Sequence, residues 1–442
     1  MEELRRYLKL LEAIKNIFRI PDLKKKVLFT AFILILYRMG SFIVTPGVDI
    51  EVLKGFFANQ ENTLFNLFNL FAGGNFERAS IFALGIMPYI TASIVMQLLG
   101  SIIPFFEKLK KDPEGQKKIN QYTRYGTVLI AFFNAIGMAV FLLNAGEGIV
   151  TIDTGLFVFT TVISMITGTI VIMWLGEQIT ASGIGNGISM IIFAGIIAAY
   201  PGGFVNMFNM IRTGNMTIIS GLIVIAIMIL VTMSVILVTE AVRKLTVMYP
   251  KKIVGRKAYG GQTQSFPIRV NTAGVIPIIF AQSVIMMPNT VATFFPNSVF
   301  GDIMNRHFSP ATPAYTIIYM LLIVFFAYFY TAIVLNPKDM AENLKKQGAH
   351  IQGIEQGRKT AEHIDNILKR ITLPGAVFFA TIAVIPDFMM KFTNMPFYFG
   401  GTGVIIIVGV ALDTLKQIES HLIMRHYDGF MKKGKLRGRT GG

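Results

Sequence analysis

Few residues in this 442-residue chain have the type and spacing that chemistry needs. There is no cysteine, so the chain carries no disulfide framework, thiolate metal site or cysteine nucleophile. The histidines, His307, His350, His363, His421 and His426, all fall between apolar runs or in the C-terminal tail. None is left to build a metal site or a proton relay at membrane depth. HExxH and GxSxG patterns are absent. GIGNG at 183–187 lacks the following Lys and Ser/Thr, and the preceding strand, of a phosphate loop; its glycines read as a tight turn between helices. Interior ionisable residues are sparse: Arg38 and Asp413 lie inside apolar runs, and Glu177 and Glu240 at the ends of runs. A coupling proton or sodium needs carboxylates at mid-membrane, so a small-ion pump is disfavoured. These four read instead as interhelical hydrogen-bonding partners, and no cofactor is expected.

The elements that must position such residues follow from composition. Hydrophobic residues make up 53% of the chain, charged residues only 15%, and the mean hydropathy is +0.58. Soluble domains carry roughly a quarter charged residues, which excludes an ordinary cytosolic enzyme. Apolar runs long enough to cross about 30 Å of hydrocarbon occur near 27–45, 80–100, 124–144, 155–175, 184–200, 217–239, 272–294, 313–335, 372–390 and 402–420. Segments of this length satisfy their backbone in lipid only as helices, so the predicted fold is an all-α membrane protein of ten transmembrane helices.

Lys and Arg sort by side. Of the 41, alternate connecting segments place 35 with both termini and five opposite, and Arg38 is within the first span. The positive-inside bias puts both termini in the cytoplasm. The first run is a full span with no small-residue cleavage site behind it, so no cleaved signal is expected. Leu4, Leu8, Leu11, Ile14, Ile17 and Phe18, interleaved with Arg5, Arg6, Lys9 and Lys15, predict an amphipathic helix over 1–20 on the cytoplasmic membrane surface, with anionic lipids as its partner. Ten spans divide into five and five. An odd half re-enters the membrane inverted, which predicts two pseudo-symmetric halves, 1–215 and 216–442.

One segment breaks the pattern. LFNLFNLFAGG at 64–74 is too short to span and too hydrophobic for a solvated external loop. Such a piece is tolerated at membrane depth only where it is buried in protein or fills a cavity. Composition leaves two readings open: a movable stopper re-entering a central opening, or a fixed interfacial helix.

FAGGNFERASIFALGIMPYITASIVMQLL (71–99), QYTRYGT (121–127), TGTIVIMWLGEQITASGIGNGISMIIFAGI (167–196), RVNTAGVIPIIFAQS (269–283), FFAYFYTAIVLNPKDMAENLKKQGA (325–349) and MPFYFGGTGVIIIVG (395–409) closely resemble the SecY family of bacterial protein-translocation channel subunits. The match runs through all ten spans. It implies a central protein-conducting channel of the Sec translocase in the plasma (inner) membrane, not itself an enzyme, that passes unfolded preproteins and releases transmembrane segments sideways. A secondary transporter of a small solute is the alternative.

The resemblance also assigns residues. It places a pore ring at Ile86, Ile90, Ile188, Ile192, Ile279 and Ile406, the last within the run Ile405 to Ile407. By composition alone these are ordinary packing or lipid-facing isoleucines. It makes 64–74 a plug, carried by Leu64, Phe65, Phe68, Phe71, Gly73 and Gly74, and spans 2 and 7 a lateral gate with Thr91, Gln97 and Asn271 as candidate polar contacts across the seam. The long segments 240–271 and 336–371 become docking sites for the motor ATPase SecA and for the ribosome, with Lys251, Lys252, Arg256 and Lys257 suited to RNA phosphates. Small membrane subunits SecE and SecG, signal sequences and nascent membrane proteins are the other implied partners. Where family members commonly read Gly-Ile-Arg-Pro-Gly, this chain has Gly353-Ile354-Glu355-Gln356-Gly357, with Arg358 following as the candidate coupling arginine.

Overall fold

The computed structural model describes residues 20–59, 69, 72–146, 148–249, 251–254, 257–260, 263–293, 298–308, 312–393 and 401–433. The amphipathic helix expected over 1–20, apart from its last residue, lies outside the described residues, as do Leu64, Phe65, Phe68, Phe71 and Arg256.

The described helices are α1 (Pro21–Gly40), α2 (Ile50–Asn59), α3 (Met87–Ile102), α4 (Pro104–Lys111), α5 (Pro113–Ala145), α6 (Thr154–Ser182), α7 (Gly187–Arg212) and α8 (Ile218–Glu240), followed by α9 (Ile276–Thr293), α10 (Val299–His307), α11 (Pro313–Val334), α12 (Pro337–Lys346), α13 (Arg358–Thr393) and α14 (Gly401–Lys433). Each of the ten expected spans coincides with one of these helices. Seven stretches are long and apolar enough by themselves to cross a membrane, and an eighth is formed if α3 and α4, bent by 103°, count together. This is a multi-pass membrane fold.

Local chemistry sets where the helices begin. Pro21, Pro104, Pro113, Pro313 and Pro337 occupy first turns, where a missing N–H does no harm. Asp112, Asp153, Asn186, Thr217 and Thr312 cap their helices by accepting from backbone amides two or three residues on. Long apolar side chains such as Phe159, Ile219, Leu222, Leu230 and Leu237 point outward, as a lipid-facing surface requires.

Span 2 departs from expectation at its start. Residues 76–86 are not helical but form turns, and the helix begins only at Met87. Backbone pairing explains this: Thr45 N donates to the Ala79 carbonyl and Ile81 N to the Ile43 carbonyl, tying the stretch to the segment after α1. An apolar run alone cannot distinguish such a segment from helix.

A broad apolar core runs through α1, α3, α6, α7, α8, α9, α11, α13 and α14. A second, built on Leu53, Phe76, Leu142, Phe157 and Met165, closes the end opposite the basic segments. At the basic end the two long segments fold together, which the sequence did not announce. Strands β1 (Val242–Met248), β2 (Lys251–Val254), β3 (Lys257–Gly260), β4 (Thr263–Arg269) and β5 (His350–Ile351) make an antiparallel sheet ordered β4-β1-β5 and a separate hairpin β2-β3. Leu245, Val247, Ile268 and Ile351 pack from that sheet onto Ile364 and Leu368 of α13. The helix α13, with Pro374 and Pro386 inside it, runs from this module into the membrane body.

GIGNG forms the expected tight turn between α6 and α7. Ile184 N donates to Thr30 Oγ1 at 2.9 Å and Gly185 N to Gln417 Oε1 at 2.8 Å, tying α1, α7 and α14 at one point. A Cβ on Gly187 would overlap the carbonyl oxygen of Gly176. Gly187→Ala is therefore expected to destabilise the purified protein by about 1–3 kcal/mol, seen as a lower midpoint of thermal unfolding in detergent. An unchanged midpoint would contradict the close approach.

Candidate pore, gate and docking surface

The six candidate ring residues lie on or directly before four helices. Ile86 immediately precedes α3 and Ile90 lies one turn in, so both share a face; Ile188 and Ile192 repeat the spacing at the start of α7. Ile279 is in the first turn of α9 and Ile406 in the second turn of α14. Ile86, Ile90, Ile192, Ile279 and Ile406 are 3%, 4%, 2%, 5% and 0% exposed, and half-buried Ile188 packs against the same cluster. In the run Ile405 to Ile407 the first two are buried and the third is partly so. All six thus belong to, or pack against, the one broad apolar core that runs through the helices. A waist of branched apolar side chains dewets and resists ions.

Three of the four interior charges, Glu177, Glu240 and Arg38, find partners between elements, while Asp413 is exposed. Arg124 makes a bidentate pair with Glu177, at 2.9 and 2.7 Å, between α5 and α6. Glu240 pairs with Lys416 at 2.6 Å, between α8 and α14. Arg38 Nη1 donates to the backbone carbonyl of Gly73 at 2.8 Å. All three act as structural partners, in the way their sparse placement suggested.

Of the candidate plug residues, Gly73 and Gly74 are described. Their φ values of +70° and +81° make a left-handed turn that side-chain-bearing residues resist.

Helices α3 and α9 pack together, but Thr91 Oγ1 donates to the Met87 carbonyl at 3.1 Å and Gln97 Nε2 to Ser93 Oγ at 3.2 Å, both inside α3. A helical threonine facing apolar surroundings satisfies itself on the preceding turn. Asn271, before α9, lines a small pocket with Ile278, Thr331, Thr372 and Phe379, between α9, α11 and α13. Thr91 and Gln97 are thus satisfied within α3, and Asn271 borders the pocket behind α9.

In the docking segment, Lys251 and Lys252 lie on β2 and Lys257 on β3, opposite Gly260, Tyr259 and Val254. These lysines therefore stand on paired strands rather than in an irregular connector. Arg358 opens α13 and is exposed, its Nε donating to Glu362 Oε1 at 2.9 Å. Cations at a helix N-terminus are disfavoured by the dipole, and the acid one turn on offsets this. Gln356, which sequence reasoning passed over, bridges the carbonyls of Gly348 and Ala349 at 3.3 Å each, bracing the loop.

The SecY family model matches residues 80–415. The protein translocase subunit SecY of Vibrio cholerae is 43% identical over 426 residues, covering 95% of this chain and 96% of that protein. The Escherichia coli K12 subunit is 44% identical over 423 residues, covering 94% and 96%. Among solved structures, a protein-conducting channel superposes with a TM-score of 0.66 at 20% identity, over 90% of this chain and 92% of that one. Sec61 from a canine ribosome–channel complex of the endoplasmic reticulum superposes with 0.62 at 20% identity, over the same shares. A family model matched over three-quarters of the chain and near-full-length identity above two-fifths lead to one assignment: the chain belongs to the SecY family.

Proposed function

We infer that this chain is the protein-conducting channel of a Sec translocase, passing unfolded preproteins across the bacterial plasma membrane and releasing transmembrane segments sideways into lipid. The observation that supports this reading is that Ile86, Ile90, Ile192, Ile279 and Ile406 are buried in one apolar core and Ile188 packs against it. Side chains of this kind close against ions when packed together. They also seal around a passing polypeptide without holding it in hydrogen-bonded register.

The two halves, 1–215 and 216–442, are inverted repeats clasping this waist, as five-span parity requires. Segment 64–74 is the plug. Both termini face the cytoplasm, on the side that carries 35 of the 41 cations. The β2-β3 hairpin and the loop before Arg358 receive the ribosome and the motor ATPase SecA, and α13 links them to the pore. SecE and SecG complete the translocase, and anionic lipids hold the 1–20 helix.

Spans 2 and 7, α3 and α9, are the two leaves of the lateral gate. Their seam is apolar, with Thr91 and Gln97 satisfied inside one leaf, so a signal helix entering it breaks few hydrogen bonds, each worth about 0.6–2 kcal/mol in a membrane. Asn271→Leu is expected to raise export of precursors with weakened signal sequences several-fold. Unchanged export of those precursors removes Asn271 from the gate.

The reading as a whole is tested in proteoliposomes holding the complete translocase, with SecA and ATP. The expected result is protease-protected precursor inside the vesicles. No protected precursor, together with saturable, ion-coupled flux of one small solute, would overturn it.

A further inference from the structure

We propose that Arg38, with its neighbour Tyr37, is the clasp that holds the exit turn of the plug segment in the closed channel. This rests on the channel reading above and adds to it a positioning residue. A guanidinium inside a span must find a partner, and a carboxylate is the usual one. Glu77, the acid close to this turn, is instead bound to Asn69: Asn69 Nδ2 donates to Glu77 Oε2 at 3.0 Å, and Glu77 N to Asn69 Oδ1 at 3.1 Å. Arg38 Nη1 donates to the Gly73 carbonyl at 2.8 Å. A bond to a backbone carbonyl depends on where the chain runs, not on which side chain it carries.

Four further contacts lock the same turn. Gly74 N donates to the Asn69 carbonyl at 2.7 Å and closes it. Tyr37 Oη donates to the Ala72 carbonyl at 3.5 Å and accepts from Asn75 Nδ2 at 3.4 Å, with Asn75 fully buried. Gly73 then rests backbone to backbone on α7, where a Cβ would come within 2.7 Å of the Gly195 Cα. Gly195 lies three residues beyond Ile192, so the turn sits on the helix that supplies two ring residues. Displacing the turn therefore removes a brace from the waist.

One charge-assisted hydrogen bond biases such an equilibrium by about tenfold or more. That is enough to keep the turn docked and weak enough for an arriving polypeptide to displace it. The chain has no cysteine, so a single one reports cleanly. In vesicles holding the complete translocase, A72C is labelled with a membrane-impermeant maleimide, alongside A139C, which is buried in the second core. Arg38→Met keeps the length of the side chain and removes its donors. It is expected to raise A72C labelling about tenfold and leave A139C protected, while Arg38→Lys, which keeps a donor, returns part of the protection. Unchanged A72C labelling, or an equal rise at both cysteines, overturns the clasp. Failure of the channel reading shows separately, as no precursor passage through the unsubstituted complex.

Discussion

A channel carrying Ile192→Lys is expected to leak ions at rest, with conductance at least ~100-fold above the parent. The side chain is 2% exposed and sits among apolar neighbours from other helices. Holding an ammonium in a dry waist costs several kcal/mol, and about 1.4 kcal/mol is a factor of ten, so the waist hydrates instead of staying shut. Ion flux from vesicles, or current across a planar bilayer, measures the effect. Ile188→Lys, at the half-buried rim, should leak less, because its ammonium reaches water without opening the constriction. Ile192→Leu keeps apolar volume and should stay tight. Tightness of Ile192→Lys equal to the parent would place that residue outside the constriction.

The second large effect is electrostatic. Replacing Lys251, Lys252, Arg256 and Lys257 together with glutamine removes four cations from the β2-β3 segment. If each meets one RNA phosphate, about 0.7–0.9 counterions per contact are no longer released, and the slope of log affinity against log salt becomes shallower by about 3. Ribosome affinity at low salt should then fall by two to three orders of magnitude. Glutamine keeps hydrogen-bonding capacity and strand length, so the loss reports charge rather than a collapsed hairpin. Cosedimentation of ribosomes with translocase vesicles over a salt series gives both numbers. A parallel slope with a modest affinity change would move ribosome docking away from this hairpin.

The ten spans were legible because a run of about twenty apolar residues has one stable form in lipid. The basic asymmetry was equally legible, since each cation sits in a segment whose side is fixed by counting. Residues 76–86 were misread for a physical reason: their backbone partners, Ile43 and Thr45, lie far back in sequence, and apolar composition does not say where an amide finds its acceptor. The β1-β4-β5 sheet was missed in the same way. Leu245 and Val247 carry the alternation of a strand, but β5 is about a hundred residues downstream.

The waist is the opposite case. Ile192 and Ile219 are the same residue type in similar apolar runs, yet one is buried and the other faces outward. Only family resemblance separated them before the helices were assembled. Arg38 shows both sides of this limit. An arginine inside a span announces that it needs a partner, but the partner is the carbonyl of Gly73, and a carbonyl leaves no mark in a sequence.

The most direct measurement places single cysteines at Ile86, Ile192, Ile279 and Ile406 of the cysteine-free chain and stalls a precursor midway by a folded C-terminal domain. A thiol-reactive probe on the trapped stretch should form adducts at all four positions and none at outward-facing Leu222. Adducts at Leu222 with the four isoleucine positions silent would contradict a polypeptide path through the waist.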